Sequence, residues 1–162
     1  MTNKAAVYPG SYDPLTNGHI DIIERGLTIF DKITVAVLKN PQKKHLFDLE
    51  ERLEILHHTF DDNPRIEVDC FEGLLVDYLK KKDIKTVVRG LRAISDFEVE
   101  FQMALMNRRI AHDIETIFLV PSVNYSFLSS RLVKEIYQLG GEVRQMVPEL
   151  VDKKLKEKYH LK

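Results

Sequence analysis

Four stretches of this chain carry side chains suited to gripping a phosphate. In "YPGSYDPLTNGHIDII", residues 8–23, Gly10 and Gly18 permit close approach to the backbone, and Ser11 and Thr16 offer hydroxyls. His19 stands where an apolar helical pattern begins. A helix N-terminus has unpaired N–H groups and a partial positive charge, so an anion is favoured there. In "KNPQKKHLF" the cations are Lys39, Lys43 and Lys44, and in "RGLRAISDFEVE" Arg89 and Arg92 flank a Gly-Leu pair. Guanidinium forks suit bidentate phosphate recognition. In "PSVNYSFLSSRLVKE", Ser129 and Ser130 can cap a helix that carries Arg131 and Lys134 in its first turns. Positive charge at that end opposes the helix dipole, and an anion lying between the two would offset the cost. Taken singly, these are also an ordinary turn, a solvated lysine loop and a pair of capping serines. What matters is whether the fold brings them to one place.

The elements that must position them follow from periodicity. Strand-length apolar runs are "AAVYPG" (5–10), "ITVAVLK" (33–39), "IEVDCF" (66–71), "TVVRG" (86–90) and "TIFLVPS" (116–122). Helical spacing covers about 18–30, 48–60, 74–82, 95–110, 129–139 and 148–160, with Asp48 and Glu51 placed as a capping pair and Pro148 suited to a first turn. Continuous apolar strands alternating with helices predict one α/β domain over residues 1–162. Its expected core is a doubly wound, parallel five-stranded sheet with helices on both faces. Ligands of such sheets bind beyond the carboxyl ends of the strands, at the switch point of strand order. All four donor stretches follow a strand.

Composition narrows the partners. With 24 Lys+Arg against 25 Asp+Glu the net charge is -1, so no global field draws the chain to nucleic acid or an anionic membrane, and anion binding must be local. Cys70 is the single cysteine, which excludes an intrachain disulfide and predicts a buried, inert thiol. Met1 is followed by "TNK" and a short strand, without a signal-like or membrane-spanning run, and a cytoplasmic location is expected. Neither G-x-x-x-x-G-K-[ST] nor G-x-G-x-x-G occurs, and there is no H-E-x-x-H, cysteine cluster or G-x-S-x-G. His57 and His58 are adjacent on a helix and point different ways. A P-loop, a dinucleotide fingerprint, a zinc site and a serine elbow are therefore not expected.

The residues do match a known pattern. "TNGH" resembles the (H/T)xGH motif of the nucleotidyltransferase superfamily related to class I aminoacyl-tRNA synthetases. "SSRLVKE" resembles its second signature, which usually has three serines before the hydrophobic pair and lysine. More closely, "YPGSYDPLTNGHIDIIERG", "VVRGLRAISDFEVEFQMALMNR" and "FLVPSVNYSFLSSRLVKE" are similar to bacterial phosphopantetheine adenylyltransferases, over essentially the whole chain. The resemblance implies a Rossmann-like nucleotidyltransferase fold. It implies transfer of AMP from ATP, with Mg²⁺, to 4'-phosphopantetheine, giving dephospho-coenzyme A and pyrophosphate in the penultimate step of coenzyme A synthesis.

Residue by residue, the resemblance implies that Ser11 binds both nucleotide and acceptor, with Tyr12 beside it on the nucleotide. His19 would stabilise the transition state, and Lys43, Leu75 and Arg89 would bind phosphopantetheine, Lys43 near the reacting centre. Gly90, Leu91, Arg92 and Glu100 would line the nucleotide site. Tyr125, Ser126, Phe127, Leu128, Ser129, Ser130 and Arg131 would cover the adenine and phosphates. His19, Lys43 and Arg92 form the implied catalytic set, no residue is implied as a metal ligand, and the implied assembly is a homohexamer of two stacked trimers. Arg131 departs from the usual third serine of the second signature, which leaves the role of that position open. The alternatives are a related nucleotidyltransferase with another acceptor, such as nicotinamide mononucleotide or glycerol phosphate, and a non-catalytic nucleotide-binding module. A nucleic-acid binder is disfavoured by the near-neutral charge and by the lack of an appended anticodon domain.

Overall fold

Side-chain alternation along the strands builds two cores, one on each face of a single sheet. A computed structural model describes residues 4–92 and 94–159. Five strands, β1 (Ala5–Gly10), β2 (Lys32–Lys39), β3 (Ile66–Glu72), β4 (Thr86–Gly90) and β5 (Glu115–Leu119), are all parallel in the order β3-β2-β1-β4-β5. Between them run the helices α1 (Asn17–Gly26), α2 (Leu49–Phe60), α3 (Leu75–Lys82) and α4 (Ile94–Ile110). A 3₁₀ turn (Val123–Tyr125) and the helices α5 (Ser130–Gln138) and α6 (Glu149–Tyr159) close the chain. The His160 end expected for the last helix lies outside the described residues.

Successive strand residues point to opposite faces. Ala6 and Tyr8 of β1, Ile33, Val35 and Val37 of β2 and Val88 of β4 therefore share one core with Ile22, Ile23, Ile55, Leu56, Val133 and Leu155 of the helices. Val7, Ala36 and Val87 point the other way, onto Val76 and Leu79 of α3 and onto Ala111 and Ile114. Both faces are thus covered, as apolar parallel strands require. No helix among the described residues is long and apolar enough to cross a membrane.

Element boundaries differ from periodicity where a local competitor wins. The first helix stops at Gly26 rather than at residue 30. The amides of Thr28 and Ile29 bond three residues back, to Arg25 and Gly26, and the Thr28 hydroxyl takes the Arg25 carbonyl at 2.7 Å, so the turn tightens and ends. The fifth strand ends at Leu119, two residues before Pro121, which has no N–H for the ladder. The capping box of Asp48 and Glu51 is present, each side chain bonding the other's backbone amide at 2.9 Å. Cys70 is only partly buried, because β3 is the sheet edge; it packs against the core as a free thiol.

The order of strands sets the switch point. After β3 the chain crosses back over β2 and β1 to lay β4 beside β1, and Val7 pairs with Val87. The loops after β1 and β4 therefore diverge from adjacent strand ends and leave a crevice between them.

Candidate active site

That crevice opens into a cleft of about 480 Å³ at the carboxyl ends of β1 and β4. Ser11, Tyr12 and His19 line it from the first loop, Lys43 from the segment after β2, and Arg89, Gly90, Arg92 and Glu100 from β4 and the start of α4. Tyr125, Leu128, Ser129, Ser130 and Arg131 close it from the segment after β5. Four of the expected residues stand outside this lining. Leu91 donates its amide to the Leu119 carbonyl, Ser126 bonds the Val123 carbonyl, Phe127 is an exposed side chain, and Leu75 packs at the edge of the α3 core.

His19 is held from behind. Thr16, the N-cap of α1, donates its backbone N–H to His19 Nδ1 at 3.0 Å, while its own hydroxyl accepts from the His19 amide. Nδ1 must therefore be an acceptor, so the neutral ring carries its proton on Nε2. The ring lies 5.1 Å from that of Tyr12 and 6.3 Å from that of Tyr8. Burial, with Arg92 and Arg89 nearby, lowers the imidazole pKa from its ordinary 6.5 to about 3. At neutral pH His19 is an uncharged hydrogen-bond donor, not a cation. Thr16 itself is buried, and its hydroxyl serves the cap rather than the cleft.

Tyr12 lines the cleft with its hydroxyl already engaged. Its side chain is 2% exposed and its hydroxyl bonds the Tyr8 carbonyl at 2.7 Å, so the ring forms the floor of the cleft. The backbone turns there through φ 48, a left-handed conformation unusual for tyrosine, which sends the chain sharply away after Ser11.

The arginines are organised by carboxylates. Arg89 forms a two-bond fork with Glu100 and donates Nη1 to the Pro9 carbonyl at 2.6 Å. Burial works against its charge, but Glu100 outweighs it and the guanidinium pKa is raised. Two of its five N–H groups remain for a ligand. Arg92 bonds Asp96 at 2.9 Å and the Leu128 carbonyl at 2.9 Å, joining the loops after β4 and β5. Lys43 differs: no ion pair among the described residues involves it, and its exposed ammonium is open to an anion.

The cations at the start of α5 are not left facing each other. Arg131 is an exposed side chain paired with Glu135 at 3.3 Å, and Lys134 pairs with Asp13 at 2.8 Å. The chain's own carboxylates thus supply the compensation expected of a bound anion. Only Ser129 is the cap, accepting from Leu132 at 3.1 Å; Ser130 instead donates to the Pro14 carbonyl at 2.7 Å, docking α5 on the first loop. Two supports had no clear sequence signal: Asp13 is buried at the centre of the loops, and Arg52 reaches from α2 to the Ser11 carbonyl at 2.8 Å. Gly90, expected beside the nucleotide, also takes the close approach of Ile22.

Among the described residues no three His, Cys, Asp or Glu side chains group closely enough to hold a metal ion. The carboxylates in the cleft, Asp13, Asp96 and Glu100, are each engaged by a lysine or an arginine.

A parallel sheet with a helix N-terminus, a neutral imidazole and three cationic segments meeting at its switch point defines a phosphate-handling α/β protein of the nucleotidyltransferase class. A cytidylyltransferase-like family model matches residues 7–136. The chain is 55% identical over 157 residues to the phosphopantetheine adenylyltransferase of Dictyoglomus turgidum, covering 97% of this chain and 98% of that one. It is 54% identical over 160 residues to the enzyme of the same name from Geotalea daltonii, covering 99% of each. Among solved structures, a candidate nicotinate-nucleotide adenylyltransferase from Vibrio parahaemolyticus shares the fold. Its TM-score is 0.69 at 17% identity, covering 95% of this chain and 99% of that one. The chain belongs to the phosphopantetheine adenylyltransferase family, within the cytidylyltransferase-like superfamily.

Proposed function

We propose that this cleft binds ATP and 4'-phosphopantetheine side by side and transfers the adenylyl group between them, giving dephospho-coenzyme A and pyrophosphate. The observation that carries this is the convergence of His19, Lys43, Arg89 and Arg92 on one cleft between β1 and β4. Among the described residues the cleft holds no side chain poised as a general base, and the reaction needs none. A phosphate monoester is ionised at neutral pH, so its oxygen can attack the α-phosphorus directly while the bond to the bridging oxygen breaks and pyrophosphate leaves with the electron pair. What remains is alignment and stabilisation of charge.

In this mechanism His19 Nε2–H donates to an α-phosphate oxygen, most strongly as charge gathers there. Neutrality helps, because the donor holds its proton over the working pH range. Lys43 and the free N–H groups of Arg89 hold the acceptor phosphate. Ser11 stands between the two substrates, and Leu75 borders the pantetheine arm. Arg92, Gly90, Leu91 and the segment from Tyr125 to Arg131 hold the nucleotide, with the α5 N-terminus offering amides to its phosphates. Glu100 borders the nucleotide and, through its fork with Arg89, orients that guanidinium toward the acceptor phosphate. Mg²⁺ would enter with ATP, held by phosphates and water, since the cleft carboxylates are already engaged. Bound there, it would neutralise charge on the leaving pyrophosphate.

The whole chain acts as one nucleotidyltransferase domain and assembles as a hexamer of two trimers. α4 supports that assembly: Phe97, Val99, Phe101, Met103, Leu105, Met106 and Ile110 are all exposed on it, and so much exposed apolar surface on one helix belongs in an interface. A cytoplasmic location goes with ATP as a substrate.

The test is pyrophosphate release from ATP and Mg²⁺ by the purified protein, with and without 4'-phosphopantetheine. Release that depends on phosphopantetheine is expected. Release with another phosphate acceptor only, or none despite ATP binding, overturns the assignment. His19→Ala should lower turnover by about 10² or more, the scale of losing one preorganised donor, with much less effect on ATP binding. Arg89→Ala should weaken phosphopantetheine binding more than ATP binding.

A further inference from the structure

Asp13 is a carboxylate that the chain buries and then satisfies from three directions. It is 4% exposed, in the loop between β1 and α1 that also carries Ser11 and His19. Its Oδ1 accepts the Phe47 amide at 2.8 Å, and its Oδ2 accepts the Leu46 amide at 3.0 Å. The same Oδ2 takes the ammonium of Lys134, from α5, at 2.8 Å. The ring of His45 stands 3.6 Å from it.

These partners belong to two different walls of the cleft. Leu46 and Phe47 continue the segment from Lys43, the cation with no ion pair among the described residues. Lys134 itself lines the cleft, one turn along the helix that Ser129 caps. Two neighbouring bonds follow the same path: Arg52 reaches the Ser11 carbonyl, and Ser130 reaches the Pro14 carbonyl. Among the described residues, Asp13 alone joins all three walls through one side chain.

A buried carboxylate is costly unless charge and hydrogen bonds offset its desolvation. Here one lysine and two amides do so, which makes the group rigid as well as stable. Simple loop closure needs no buried charge, since an apolar side chain could fill the same space. A charge that draws Lys134 inward and clamps the Lys43 segment affects where phosphates sit.

We propose that Asp13 is a positioning residue for the transfer reaction. Through the Phe47 and Leu46 amides it holds the Lys43 segment in register with Ser11 and His19, and it fixes the Lys134 ammonium in the wall of the cleft. This rests on the adenylyl-transfer assignment. Its consequence is alignment of the acceptor phosphate against the α-phosphate, where small displacements matter most.

The test compares Asp13→Asn, Lys134→Met and the double variant with wild type. Asp13→Asn keeps the shape and one acceptor oxygen but loses the charge. It should lower kcat/KM for phosphopantetheine by about 10²-fold, the scale of a 1 Å misplacement, while the ATP dissociation constant moves by less than about threefold. In the Lys134→Met background the same change should cost several-fold less, because the two act as a unit. Full additivity, or equal loss of ATP and acceptor binding, overturns the proposal. Hydrogen exchange gives a readout that needs no turnover: the Leu46 and Phe47 amides should exchange faster in Asp13→Asn. Unchanged protection overturns the clamp. Wild-type protein without phosphopantetheine-dependent pyrophosphate release would instead sink the assignment itself and leave the exchange result standing.

Discussion

The backbone N–H of Thr16 donates to Nδ1 of His19 at 3.0 Å, and this bond decides which nitrogen of the histidine faces the cleft with a proton. The same two residues form the capping box of α1, so the helix start and the tautomer are set together. His19 thus meets the cleft as a neutral donor.

The pH dependence of folding follows from that neutrality. The His19 pKa is about 3 in the folded chain against an ordinary 6.5, so between those values the unfolded chain binds a proton that the native state refuses. Stability from this site is complete above about 6.5 and is lost as pH falls toward about 3. Denaturant unfolding at pH 7.5 and pH 5 should show wild type losing more stability than His19→Gln on acidification. An equal loss in both proteins contradicts the burial of an uncharged ring.

Glu100 should matter through Arg89. Removing the carboxylate in Glu100→Ala leaves the guanidinium with only the Pro9 carbonyl among its present partners. The lost fork costs roughly 1.5–3 kcal/mol, the range for hydrogen bonds to charged groups, discounted because both side chains keep some solvent contact. Thermal denaturation reads that cost. In steady-state kinetics the KM for phosphopantetheine should rise by about tenfold, one misplaced charged contact; an unchanged KM would mean that Arg89 holds its place without Glu100.

Gly90 is where β4 lets α1 come close. A Cβ at this position would stand 2.9 Å from Ile22 Cγ1 and 3.1 Å from its Cδ1, and Ile22 is 2% exposed in the packed core. Gly90→Ala should therefore destabilise the fold by about 1–3 kcal/mol, the usual cost of overpacking. Because α1 carries His19, turnover should fall as well. A melting temperature equal to wild type would show that the helix yields freely.

The apolar surface of α4 predicts self-association. Val99→Lys combined with Met106→Glu puts charges at two of its exposed positions, 61% and 57% exposed in the single chain. Light scattering after gel filtration should show a hexamer for wild type and smaller species for the variant, each still folded by circular dichroism. A wild-type monomer rules out the assembly proposed for this helix.

Local pattern was largely sufficient for the elements. "TVVRG" is β4 residue for residue, and Asp48 and Glu51 form the expected capping box, because both depend on neighbours within a few positions. The four donor stretches were legible as strand ends for the same reason. Where a boundary slipped, as at Gly26, a side chain or backbone group had captured a carbonyl that the helix pattern alone assigns to the ladder.

Residue types and spacing by themselves determined an α/β sheet, the location of the donors at its strand ends and the chemistry those donors suit. They could not determine which donor faces which partner. Asp13 meets Lys134 across 121 positions, Arg89 is spent partly on Pro9 80 positions away, and the Tyr12 hydroxyl is spent on the Tyr8 carbonyl. Such pairings exist only because β4 is laid against β1 after the chain has crossed the sheet, and hydrophobic periodicity carries no record of that order. Tertiary structure alone therefore decided which charges are clamped and which, like Lys43, have no ion-pair partner among the described residues.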